Sequence, residues 1–293
     1  MSLPSLLRPL SLLCLGLVTV HAQPAPVPGA EFTVLYSRSA DNALALRGTN
    51  VGSVAVDATQ LSWRSSVPLS SVTRFTYGLD WNRFDFQRPA ASAVPGTLQE
   101  IALALGASHR LGREWLLIGN LSPGLYGDLK GDSGDAFNAP LLLLATWLRS
   151  PTLAWAFGLR VDGLADRPVI PFIGVNWKFA PDWEFSLGMP RAGVSYAATP
   201  DLKWTLGLSV PGGSFHIARD PRPVSAGPRL DDTTLNFHEI RVGLSADWRL
   251  NRTFSLNAEA GLITDQKFDY FDRGYVLNGD AAGFFTLGLT GRF

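Results

Sequence analysis

Leu153-Ala154-Trp155-Ala156-Phe157-Gly158-Leu159-Arg160-Val161, from the middle of the chain, decides the fold class. Leu153, Trp155, Phe157, Leu159 and Val161 take every second position, and Ala154, Ala156, Gly158 and Arg160 fill the gaps. On a helix, side chains share a face every three or four residues, so this stretch would spread its bulk all round. On a strand the same residues form one bulky apolar face and one small or charged face.

The pattern continues outward. Val169, Pro171, Ile173, Val175, Trp177 and Phe179 alternate with Gly174, Asn176 and Lys178. Trp183, Phe185, Leu187 and Met189 alternate with Glu184, Ser186 and Gly188. Leu202 to Val210, Ile240 to Trp248 and Phe254 to Leu262 repeat it, with Lys203, Arg241 and Glu259 on the polar parity. A soluble β-sandwich produces the same local alternation. The polar faces here are rich in Gly, Ala and Ser as well as charge, which suits the inside of a barrel better than the outside of a sandwich.

Loop lengths separate the two further. Short turns at 111–113, 149–151, 180–182, 199–201 and 250–252 alternate with long connections at 122–138, 162–168, 220–236 and 264–280. Membrane barrels show this asymmetry of short and long connections. Trp115, Trp147, Trp155, Trp177, Trp183, Trp204, Trp248 and Phe254 crowd the short turns, as an interfacial aromatic girdle would. Threading predicts an all-β, antiparallel, up-and-down transmembrane barrel over 30–293 with about fourteen strands, twelve being the alternative count. The threading puts strands at 114–121, 202–219, 237–250, 252–264 and 281–293, among others. Its weakest stretch is 183–219, where 188–191 and 211–213 compete for the role of turn.

The first residues read as an export signal over 1–22. Arg8 supplies the positive charge, Leu10 to Val20 the apolar run, and Val20-His21-Ala22 the cleavage site. The apolar run is too short for a spanning helix, which needs about 20 residues. Leu13, not a small residue, precedes Cys14, which argues against a lipoprotein. Residues 23–29, rich in Pro and Ala, read as an extended leader. Removing the signal leaves a chain without cysteine, so disulfides and thiolate chemistry are not expected. The formal net charge of +0 gives no basic surface for nucleic acid.

Little in the sequence carries chemistry. His109, His216 and His238 show no paired metal-ligand spacing, so neither a metal site nor a cofactor is expected. No G-x-S-x-G element is present, and an outer-membrane hydrolase is the most remote reading. Asp128, Asp132 and Asp135 lack the spacing and closing Glu of a calcium loop and read as a solvated loop. The polar parity collects Arg160, Asp162, Lys178, Glu184 and Lys203 on one run of strands. It collects Glu239, Arg241, Asp247, Arg249 and Glu259 on the next. These ten are the candidate lumen-lining residues, either as ion pairs filling the interior or as a channel lining.

The chain closes on Phe285-Thr286-Leu287-Gly288-Leu289-Thr290-Gly291-Arg292-Phe293. Phe285, Leu287, Leu289 and the final Phe293 resemble the C-terminal assembly signal of bacterial outer-membrane barrels. With the export signal and the two Pro-Asp turns before Trp183 and Trp204, the chain resembles bacterial outer-membrane barrel proteins of uncharacterised families. That resemblance implies an envelope location, outer-membrane lipid and the barrel assembly machinery as partners, and no catalytic residue. Two functions are then expected above the hydrolase: a pore for small solutes first, and a structural or surface-binding barrel acting through its external loops second.

Overall fold

The computed structural model describes residues 29–131, 134–188, 191–223 and 227–293. The export signal and all of the leader except Gly29 lie outside them, as do Asp132, Met189 and Pro190. The fourteen strands expected are the fourteen found, joined in one closed antiparallel barrel.

In chain order they are β1 (Ala30–Ser39, continued by Asn42–Leu46), β2 (Thr49–Pro68), β3 (Thr73–Gln87) and β4 (Thr97–Leu111). Then come β5 (Trp115–Leu121 and Gly124–Gly127), β6 (Phe137–Asn138 and Leu141–Ser150) and β7 (Leu153–Val161). β8 (Val169–Ala180), β9 (Trp183–Leu187) and β10 (Arg191–Thr199) follow. The last four are β11 (Leu202–Ser209 and Gly212–Ile217), β12 (Thr233–Arg249), β13 (Phe254–Tyr270) and β14 (Tyr275–Gly279 and Ala282–Arg292). Each strand pairs with its neighbours in sequence, and β1 pairs with β14 from Glu31↔Arg292 to Ser39↔Phe284. Ala30 and Phe293 exchange backbone hydrogen bonds of 3.0 and 2.9 Å at the foot of this seam. Closure leaves no edge along it to pair with another chain.

Polar side chains fix the short turns. Ser70, Ser150, Thr199 and Asn251 each accept hydrogen bonds from backbone N–H groups two or three residues on. Such side chains replace the missing ladder bonds of a tight turn. At the other rim, Arg47 and Gly48 both have positive φ, 51° and 83°, in a two-residue hairpin between β1 and β2. That geometry matches the right-handed twist of the flanking strands and favours Gly at the second position.

The strands reach different heights. β7, β9 and β10 have 9, 5 and 9 residues, whereas β2, β12 and β13 have 20, 17 and 17. Above the shorter strands, the upper part of β11 crosses to the upper part of β5 and pairs with it in parallel at His216↔Gly127. A Cβ at residue 127 would stand 2.6 Å from the His216 carbonyl oxygen, so this approach requires glycine. Near the long loops, β11–β14 and β1–β5 therefore curl into a narrower ring that leaves β6–β10 outside.

These upper strands correct the sequence reading. Residues 124–127, 233–236, 265–270 and 275–279 were expected in loops and are strand. The expected strand 202–219 is interrupted at Val210-Pro211, where proline offers no N–H, and its continuation keeps the same register against β12.

Candidate functional site: the barrel interior

Contacts between strands that are not neighbours identify the inner face. Arg191 of β10 reaches Glu259 of β13 at 3.1 Å, and Arg241 of β12 reaches Ser37 of β1 at 2.8 Å. Both must cross the interior. The opposite parity carries the exposed apolar residues, among them Leu206, Ile173 and Leu262, each more than half exposed. Trp115 stacks on Trp147 and Trp183 lies against Tyr196 on that outer face near the short turns.

The interior has two tiers. In the half near the long loops it is a dry apolar core. Phe84 and Phe86 of β3 meet Phe215 of β11, Phe237 of β12 and Phe268 of β13, with ring centroids 5.2–6.0 Å apart. Phe237 and Phe268 stack at 4.9 Å. Such tilted and offset contacts add to the gain from removing the rings from water. Val54, Val56, Leu98, Leu235 and Leu277 complete the packing from the strands, while Ala93, Val94 and Leu230 enter from loops. The Tyr270 hydroxyl donates to the Ala93 carbonyl at 2.6 Å, which holds loop 88–96 in the mouth. In loop 218–232, Arg222 donates two hydrogen bonds to Asp220 and one to the Pro228 carbonyl, and lies over the Tyr275 ring. The Asp220 carboxylate holds the Arg222 pKa above its ordinary value.

Toward the short turns, the inner parity becomes polar along the same strands. In β3, Phe86 and Phe84 give way to Asn82 and Asp80, and in β12, Leu235 and Phe237 give way to Glu239 and Arg241. Buried pairs line this boundary. Arg241 bonds Glu239 at 2.7–2.8 Å, lies over the Phe284 ring at 4.7 Å, and shares Ser37 with Thr286. Glu239 also accepts from Gln266 at 2.8 Å. On the facing wall, Arg160 pairs with Asp162, which accepts from Asn138. Asn82 donates to Glu100, and Arg64 pairs with Asp80 at 2.6 Å. A buried charge persists only with such partners.

Below the boundary, exposure of the inner face rises. Glu184 is half-buried and accepts from Asn176; Lys203 is half-buried between Ala197 and Asp247 in the ladder. Asp247 is exposed and accepts from Asn257, and Lys178 is exposed at the end of β8. Arg249 sits on the rim, bonded to Asp201 and the Pro200 carbonyl of the adjacent turn. The ten sequence candidates thus divide into five buried ones (Arg160, Asp162, Glu239, Arg241, Glu259), four toward the short turns (Lys178, Glu184, Lys203, Asp247) and one at the rim (Arg249).

Sequence reasoning missed Arg64, Asp80, Asn82, Glu100, Arg191 and Gln266 on the same inner face. Parity alone exposes the first four once Leu79 and Trp81 are set outward. The histidines form no catalytic set among the described residues. His109 bonds the Thr73 hydroxyl at the short-turn rim, and among the described residues no serine hydroxyl bonds a histidine.

The fold is that of an outer-membrane-type β-barrel. Residues 68–276 match the family described as a domain of unknown function (DUF6268), and the chain belongs to that family. No curated protein matches. Among solved structures, the chain is similar to the COG4313 outer membrane channel from Pseudomonas putida F1, at 12% identity and TM-score 0.50. That likeness covers 92% of this chain and 97% of the other. A Pseudomonas aeruginosa FadL homologue is also similar, at 10% identity and TM-score 0.45, over 90% of both chains.

Proposed function

We propose that this chain is an outer-membrane channel for small solutes whose external end is shut in this conformation. Its short turns then lie in the periplasm and its long loops outside. The observation that carries the reading is the two-tiered interior. Eight strands already give an interior that side chains can fill, and a fourteen-stranded wall encloses more. The inner face toward the short turns carries mainly Gly, Ser, Thr and charge, with an apolar stretch of Leu116, Ile118, Leu142, Leu144 and Phe172 on β5–β8, and these side chains do not fill such a width. The space is a water-accessible chamber open to the periplasm and sealed above by the aromatic core. Lys178, Glu184, Lys203 and Asp247 line this chamber, and Arg160–Asp162, Arg241–Glu239 and Arg191–Glu259 stiffen its walls. Mixed signs give it no strong preference for anions or cations. The likeness to a solved outer membrane channel supports a transport role.

Single-channel recording in planar bilayers tests the reading. The wild type is expected to be closed most of the time. The Phe84→Ala/Phe237→Ala double variant, folded by its gel mobility, is expected to conduct. A folded double variant that never conducts rejects the channel and favours a barrel that acts by binding through its external loops.

A further inference from the structure

Where the upper parts of β5 and β11 meet, three metal-ligating side chains converge from distant parts of the chain. Asp135 lies in the loop after β5, His216 in the upper segment of β11, and Asp232 at the end of the loop that follows it. One ligand atom from each lies within 4.8 Å of the other two. His216 Nε2 is 4.0 Å from Asp232 Oδ1. The imidazole belongs to a residue only 8% exposed, and its ring makes no hydrogen bond among the described residues. Thr234 stands opposite it in the ladder, and the Asp135 and Asp232 carboxylates lie beside its ring. Neither carboxylate has a Lys or Arg ion pair among the described residues; Arg273 reaches only the main-chain oxygens of Asp231 and Asp232.

A nearly buried imidazole held beside two solvent-facing carboxylates, neither paired with a Lys or Arg among the described residues, is a donor set that one cation can engage. We propose that Asp135, His216 and Asp232 bind one divalent transition cation of the zinc or manganese class, which staples the loop 128–136 to the loop 218–232 across the mouth. The donor set of one nitrogen and two carboxylates suits such ions, whereas calcium and magnesium favour all-oxygen shells. Metal–ligand bonds of about 2.0–2.2 Å put tetrahedral ligands roughly 3.4 Å apart. The exposed Asp135 and Asp232 side chains need only small rotations to close from the present spacing. The backbone beneath is already fixed: Asp128 N–H donates to the His216 carbonyl at 3.1 Å, and Ala218 N–H donates to Asp128 Oδ1 at 3.2 Å. Three protein ligands leave at least one position for water. The proposal is independent of whether the barrel conducts.

The test is calorimetric titration of the refolded full barrel in detergent with Zn²⁺ and with Mn²⁺, using Ca²⁺ as control. Wild type is expected to bind one equivalent of Zn²⁺ and to gain protection from proteolysis in both loops. Asp135→Asn and Asp232→Asn alter exposed side chains and leave the fold intact. Each should weaken binding by about tenfold or more, since even outer-shell changes cost a metal site that much. His216→Ala should abolish it, with heat-dependent gel mobility verifying that the variant is folded. Absence of saturable Zn²⁺ binding by wild type overturns the site. So does wild-type affinity in both Asn variants, or equal binding of Ca²⁺.

Discussion

Arg241 and Lys203 share a charge and an inward parity but not a setting. Arg241 is buried against Glu239, which is 1% exposed, so Arg241→Ala strands a buried carboxylate. Breaking such a pair costs about 3–5 kcal/mol. Lys203 is only half-buried and makes no ion pair among the described residues, so Lys203→Ala should change stability by no more than about 0.5 kcal/mol. Urea unfolding in lipid vesicles measures both, and equal losses would mean that Arg241 is not the buried partner described. On the other face, Leu206 and Val242 are exposed and Leu206↔Leu244 and Leu208↔Val242 pair in the ladder. Leu206→Arg or Val242→Arg should cost about 2–4 kcal/mol near the bilayer midplane. Because successive residues alternate faces, a negligible cost at both sites would point to a register one residue away.

At the scale of the strand, the phase of alternation carries the main lesson. In β12, Ile240, Val242, Leu244, Ala246 and Trp248 face outward, but Leu235 and Phe237 face inward. The apolar parity switches within one strand because lipid supports the outer face lower down, and the dry core supports the inner face above. β13 instead keeps its apolar residues on one sequence parity, and the extra residue at Thr264 in the register shift turns that parity inward, so that Phe268 and Tyr270 join the core. The lower segments, their turns and the fourteen strands were legible because their alternation keeps one phase. The upper segments looked like loops because the phase breaks there, and the core was invisible because its members come from nine strands and two loops. The polar partners on β2–β4 were legible in parity but masked by weaker alternation. Phe237→Ala should cost about 3–5 kcal/mol, the usual loss for a buried aromatic, and chemical denaturation reads it directly. A cost below about 1 kcal/mol would mean that the core is not packed as described. β14 bears a separate proposal. The Phe293 ring is mostly exposed, although its backbone closes the seam with Ala30. If Phe285, Leu287, Leu289 and Phe293 form an assembly signal, deleting Phe293 should sharply lower outer-membrane levels in cells. Refolding yield in micelles should fall only modestly. Equal modest losses in the two assays reject the signal.

Over the whole molecule, one wall performs two tasks. Its outer face is apolar where the strands alternate cleanly and aromatic near the short turns. Its inner face is largely polar toward the short turns and apolar toward the long loops, where the wall itself and two loops folded in build the core. In the proposed channel, opening means separating β3 from β12 and β13 rather than swinging a single loop aside. Ser62 lies on the inner face of β2, half-buried below the core and opposite Asp80 in the ladder. Cys14 falls within the expected export signal, so in a barrel refolded from residue 23 onward Ser62→Cys supplies a unique thiol. Its reaction with a membrane-impermeant maleimide, applied separately to each side of oriented barrels, tests the central claim most directly. The account predicts rapid labelling from the short-turn side and protection from the long-loop side, lost when Phe84 and Phe237 are both replaced by Ala. Rapid labelling of the otherwise wild-type barrel from the long-loop side would contradict it.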